Sequence, residues 1–484
     1  MPIESRTKLR ARTGAVLVML VASWGCMVGP RYQRPPVPSA PQFKEGASPN
    51  SEKQSPIAYS NWWLVFHDEE LNRLEQQTDS ANQDVQAAVA RVDQAQEYLK
   101  ASHSYLFPTV SAGGSASRNR EAQNRPNNGN TGGHAATYND FQLAILLGYE
   151  VDVWGKVRHS IEAAAATEQS QEANLYFVRL VAETGLAMNY FGVRELDAER
   201  EVLLATLETL QQAEQLTELR MKGGLATDYD VYQARTLLDQ TKAQAQHIEI
   251  QRAQLEHVIA VLTGQSPSSF SLARNALREG PPVIPAGLPS QLLERRPDIQ
   301  SIERTMAASS AQIGVARAAQ FPQFSLSGAA GFESVNPASL FQWQNSLASL
   351  GAGALAPVFT AGRLKAQVEQ AKAGYRETVA QYEQGVLTAY QQVEDQLAAI
   401  RILSGEAASE ANAVHDAQRV EQVALNQYKT GLVNYLNVVN AQAELLYNQR
   451  AQTQILGEQM VASVALVKAL GGGWLNVQNP AGAP

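Results

Sequence analysis

"RMKGGLATDYDVYQAR" (residues 220–235) and "QYKTGLVNYLNVVNAQ" (427–442) are one turn written twice. At a spacing of 207 residues, Lys222 falls on Lys429, Gly224–Leu225 on Gly431–Leu432, Val231 on Val438 and Ala234 on Ala441. Each stretch interrupts a run rich in Ala, Gln, Glu and Leu. No proline occurs in residues 127–266 or in 358–479. Proline removes a helix donor and clashes with the preceding turn, at roughly 3 kcal/mol in a helix interior. Proline-free runs of this composition therefore predict very long helices. Lys156 to Met221 is 66 residues, about 100 Å at 1.5 Å per residue. A second rod of similar length opens at Arg363 with "RLKAQVEQAKAGYRETVAQYEQGVLTAYQQVEDQ". The glycines read as the turns that fold each rod back into a helical hairpin. Apolar residues in the rods are small and sparse, which suits close helix-on-helix packing without a thick core. A generic coiled coil or α-solenoid shares that pattern.

A second repeat lies upstream of each rod. "DVQAAVARVDQAQEYLKASHSYLFPTVSAGGS" from Asp84 and "DIQSIERTMAASSAQIGVARAAQFPQFSLSGA" from Asp298 align at a spacing of 214, with Asp, Gln, Phe-Pro and the following serine in register. The chain is a tandem duplication. After each Phe-Pro comes a β segment. "FQLAILLGYEVDVW" (141–154) alternates Phe141, Leu143, Ile145, Leu147, Tyr149, Val151 and Val153 with a mostly polar or small face. That suits a strand with lipid or core on one side and water on the other. It pairs with "TVSAGGSASR" (109–118) across a long polar loop, and "FSLSGAAGFES" (324–334) pairs with "SLASLGAGALAPVF" (346–359). Four such strands can cross an outer membrane but cannot close a barrel, and open edges cannot be left in lipid. Either a larger sheet lies elsewhere in the chain, or several chains complete one barrel. The alternative is two ordinary hairpins capping a soluble helical rod.

The first 25 residues read as an export signal, with Arg6, Lys8, Arg10 and Arg12 ahead of the short apolar run "GAVLVMLVASW". A short N-terminal membrane anchor is the other reading. These residues carry four bases and one acid, so their removal takes the formal charge from −8 to −11. Such an acidic chain argues against nucleic acid as a partner. Cys26 is the only cysteine and follows Gly25, the small residue that thiol acylation of a mature N-terminus requires. A plain, unlipidated export signal is the competing reading, because Ser23 and Trp24 fit a lipobox poorly. A single cysteine and seven scattered histidines offer no disulfide framework, no zinc cluster and no HExxH-type spacing. No catalytic set, metal site or cofactor is expected. "GAGALA" (351–356) satisfies a dinucleotide-type glycine pattern but lies in the last β segment with no βαβ unit around it. No phosphate-loop lysine motif is present, so energy for any transport comes from a partner.

In combination these stretches resemble the TolC-like outer membrane efflux proteins, most closely their NodT/OprM-type lipoprotein branch. The resemblance runs from about Cys26 to Leu470 and is carried by "GCMVGPRYQRPPVP", "NWWLVFHDEELNRL" (61–74), "YEVDVWGKVR" (149–158), "LLERRPDIQSIE" (292–303) and "IGVARAAQFPQFSLSGAAGF" (313–332). It implies a mainly α fold with a membrane β-barrel: tandem long helical hairpins form a periplasmic tunnel, and four strands per protomer complete a trimeric, twelve-stranded barrel. The expected segments are the signal (1–25), an extended arm with lipidated Cys26 (26–60) and equatorial and first tunnel helices (61–105). A β-hairpin (106–154) and a long helical hairpin with its tip at 222–230 (155–264) follow. An equatorial linker (265–296) leads to a tunnel helix (297–320), a second β-hairpin (321–360) and a second helical hairpin with its tip at 429–437 (361–470). A tail (471–484) closes the chain.

The resemblance also implies where the function lies. Gly224, Leu225, Gly431 and Leu432 match the tip motif that narrows the tunnel and meets a periplasmic adaptor, the leucines serving as apolar knobs for the adaptor's helices. The same residues also suffice as plain hairpin turns. Asn437 and Asn440 stand where several relatives carry aspartates, so an uncharged ring replaces a cation-binding one at the gate. Asp230 and Tyr428 are candidates for hydrogen bonds that latch the tip shut, and Val433 stands near a position where some relatives place arginine. The implied function is a passive outer-membrane exit duct for drugs or other small molecules in a tripartite efflux pump. Its expected partners are two further copies, an adaptor, an inner-membrane transporter (RND-type foremost) and outer-membrane lipid. A duct for type I protein secretion and a structural coiled-coil protein are the competing functions.

Overall fold

The computed structural model describes residues 27–37, 41–46, 61–122, 137–285 and 289–472. Cys26, the export signal, the 123–136 part of the polar loop and the tail beyond 472 lie outside the described residues. A 3₁₀ turn at Trp62–Phe66 leads into α1 (Glu69–Ala81) and α2 (Gln83–Ser104). Strands β1 (Thr109–Arg120) and β2 (Thr137–Val151) follow, then α3 (Lys156–Lys222) and α4 (Asp228–Leu262). The second half opens with α5 (Pro289–Arg295) and α6 (Pro297–Ala318), both starting on proline, which is pre-set for the first helical position. It continues through β3 (Gln323–Ser334), β4 (Ser346–Leu355), α7 (Arg363–Lys429) and α8 (Tyr435–Ala469). The duplication is kept in the long helices. α3 and α7 are each 67 residues long and α4 and α8 each 35.

The chain forms two compact units, and α3 and α7 run through both. The first contains the arm up to Pro35 and residues 93–170 and 302–382. At its centre is one four-stranded antiparallel sheet in the order β1-β2-β3-β4. Thr109 stands opposite Gly148, Phe141 opposite Ser334 and Gln323 opposite Leu355. Leu143, Ile145, Leu146, Val110 and Leu350 are exposed on it. β2 stops at Val151, short of the expected Trp154, because Asp152 turns aside to cap α3. Its carboxylate accepts the amides of Val157 (3.1 Å) and Arg158 (3.0 Å) and the Arg158 Nε (3.1 Å). Gly155 completes that turn at φ 79°, and a side chain there would strike Met27. β4 likewise ends at Leu355, ahead of Pro357, which has no amide to give a sheet.

The second unit holds residues 36–92, 171–301 and 383–472 of the described chain. Its core gathers Trp62, Trp63, Leu71, Leu74, Leu186, Tyr190, Phe191, Ile259 and Val464. Asp68 caps α1 through the Leu71 amide (3.0 Å) and accepts the Tyr190 hydroxyl (2.6 Å). The Trp62 indole donates to the Glu183 carboxylate at 3.0 Å. Burial pushes Glu183 up to about 7 and drives the neighbouring Glu75 well above the usual carboxylate range. Among the described residues, no helix is long and apolar enough to cross a membrane.

Candidate functional site

α3 ends because Gly224 takes up φ 70°, a left-handed conformation that costs glycine nothing. The Leu225 amide then donates back to the Arg220 carbonyl (2.8 Å) and the Gly224 amide to Met221 (2.9 Å). That pair of bonds is a Schellman cap. α7 ends the same way: Gly431 has φ 77°, Leu432 donates to Gln427 (2.9 Å) and Gly431 to Tyr428 (3.0 Å). In such caps the residue after the glycine ordinarily tucks against the helix. Here it does not. Leu225 is 70% exposed and Leu432 76% exposed, beside exposed Leu219, Tyr229 and Tyr232.

The two returning helices start differently. Thr227 and Asp230 form a reciprocal capping box on α4. The Asp230 carboxylate accepts the Thr227 amide (2.9 Å) and hydroxyl (2.9 Å), so it is engaged within its own turn. α8 opens at Asn434 with no side-chain cap. Asn437 and Asn440 follow it, both exposed and one helical turn apart.

Beneath the leucines the two hairpins join. Tyr428 and Tyr435 meet at 5.2 Å between rings inside a cluster with Ala234, Ala424, Val438 and Ala441. Tyr428 is 4% exposed, and among the described residues its hydroxyl has no hydrogen-bond partner. Burial pushes the Tyr435 phenol up to about 12. Arg220, on the other hairpin, sets its guanidinium 4.6 Å over the Tyr428 ring and donates to the Lys429 carbonyl at 3.1 Å. Arg235 ties α4 back to α3 through Glu214 (3.0 Å) and Glu218. Asp230 and Tyr428 are thus held by separate partners and do not meet within the protomer.

Arg220 was not among the residues singled out from sequence. Its place in the last turn of a helix suits the negative end of the helix dipole, but nothing in linear spacing says that it reaches the other hairpin. The arrangement offers apolar knobs on rigid caps and a cation–aromatic contact between hairpins. Among the described residues, no group of His, Cys, Asp and Glu is placed to hold a metal ion.

Residues 74–265 and 288–472 match the family described as "Outer membrane efflux protein". Over 456 residues the chain is 32% identical to the "Toluene efflux pump outer membrane protein TtgC" of Pseudomonas putida, with 93% of each chain covered. Over 420 residues it is 33% identical to the "Pyoverdine export outer membrane protein OpmQ" of Pseudomonas aeruginosa, covering 85% of this chain and 87% of that one. Among solved structures, the outer-membrane channel OprN superposes with a TM-score of 0.87 at 29% identity, covering 93% of this chain and all of that one.

Proposed function

The chain belongs to the outer membrane efflux protein family and is an outer-membrane efflux channel; from that premise we propose that three copies form a passive duct whose hairpin tips dock a periplasmic adaptor. The observation that carries the docking is the exposure of Leu225 and Leu432 on rigid caps where such residues ordinarily fold inward. A trimer answers the sheet's chemistry. Among the described residues, β1 and β4 each leave one edge unpaired, and lipid offers those backbone groups no partner. Four strands from each of three chains close a barrel of twelve. The duct needs no catalysis or cofactor of its own, and its energy comes from an inner-membrane transporter, RND-type foremost. Small organic molecules are the cargo class, in keeping with relatives named for toluene and pyoverdine. Cys26 acylation anchors the arm. Gly224 and Gly431 set the caps, and the exposed Asn437 and Asn440 form uncharged rings that bind divalent cations weakly. The Arg220–Tyr428 contact and the Asp230 box hold the tip's resting shape.

A photo-crosslinking residue at Val433 in the native host, with captured proteins identified by mass spectrometry, tests this reading. Capture of an adaptor that serves a proton-driven transporter is expected. An adaptor paired with an ABC exporter makes the duct a protein-secretion route. No periplasmic partner at all overturns the tip assignment.

A further inference from the structure

Where the helices meet the sheet, Val28, Arg317, Phe321, Lys365 and Val368 line a cleft with an apolar floor and a basic rim. Val368 and Phe321 lie at the floor, the latter stacked on Trp154 at 4.9 Å. The Trp154 indole donates to the Pro322 carbonyl (2.7 Å), and the Val28 amide donates to the Trp154 carbonyl (3.1 Å). Arg317 is half-buried and Lys365 exposed, and among the described residues neither side chain makes an ion pair. The cleft's remaining charges are Glu369 and Lys372, paired at 2.8 Å, and Glu369 also feels the charge of Lys365. The lining thus carries three cations against one carboxylate, a net positive rim over an apolar base.

Its place in the fold says what such a rim meets. Phe321 is two residues before β3, and α7, which carries Lys365, begins eight residues after β4 ends. Beside those strand ends Tyr105, Phe107, Val358 and Phe359 are all exposed, as aromatic and apolar residues are at a membrane–water boundary. The helices extend into the periplasm, so this is the boundary of the inner leaflet. We propose that the cleft is a binding site for a glycerophospholipid of that leaflet, its phosphate between Arg317 and Lys365 and an acyl chain along Phe321 and Val368. Cationic side chains at this depth recognise phosphate headgroups, and arginine does so with a planar fork of donors.

The purified full chain in detergent, given phosphatidylglycerol and examined by native mass spectrometry, tests the assignment. Wild type is expected to retain the lipid. Arg317→Gln with Lys365→Gln is expected to lower retention by roughly 30-fold. Glu369→Gln releases Lys372 and is expected to raise retention, an opposite change that a merely damaged fold would not give. Equal retention by the double variant and wild type overturns the site. Displacement of the lipid by millimolar inorganic phosphate also overturns it, since that makes the cleft a free-anion pocket.

Discussion

Leu225 and Leu432 each follow a glycine that closes a helix, and both are exposed. Gly224 and Gly431 can enter the left-handed region, which lets each cap close in two bonds and fixes the backbone of the leucine that follows, yet neither leucine makes the inward contact usual in such a cap. Burying a leucine stabilises an interface by about 2 kcal/mol, so Leu225→Ser or Leu432→Ser is expected to weaken adaptor binding by roughly 30-fold while leaving the trimer intact. Binding of purified adaptor to the tethered channel, by surface plasmon resonance, measures this. Arg220 acts on the other side of the turn. Its guanidinium over Tyr428 and its bond to Lys429 are the contacts by which α3 holds the end of α7. A partly desolvated cation–aromatic contact contributes about 1–2 kcal/mol. Arg220→Ala is therefore expected to raise channel opening in planar bilayers, and Arg220→Lys to restore part of the closure. Unchanged conductance in Arg220→Ala would remove the contact from the gate.

Among the elements, the long helices were legible because a proline-free run of 66 residues leaves few other structures open to the chain. The four strands were legible from alternation and from the repeated Phe-Pro. Their ends were not. Asp152 sits in phase with the strand pattern, yet its carboxylate is worth more capping α3 than extending β2. Meetings between hairpins were not legible either, since Arg220 and Tyr428 are far apart in sequence and no spacing links them. The buried carboxylates of the second unit were also out of reach, because Glu183 reads as any helical glutamate until Trp62 closes over it. Burial holds Glu183 near 7 against 4.5 when free, so the folded state keeps its proton longer than the unfolded state. Stability then falls as pH rises from about 4.5 to 7, by roughly 3 kcal/mol from this group. Glu183→Gln keeps the acceptor for Trp62 and removes the charge. Its apparent melting temperature, followed by helical circular dichroism, is expected to match wild type near pH 4 and exceed it at pH 8. A wild-type advantage at pH 8 would contradict the buried-carboxylate account.

At the scale of the whole molecule, an outer-membrane protein carries a four-stranded sheet whose two outer edges have no partner among the described residues. Hydrogen-bonding groups at those edges must be met before the strands can sit in lipid, and the chain's own described strands are already used. Other copies supply the missing partners. The most direct measurement is the polypeptide mass of the detergent-solubilised protein, by light scattering corrected for bound detergent. Three chains per particle are expected. One chain per particle would contradict the shared barrel, and with it the duct.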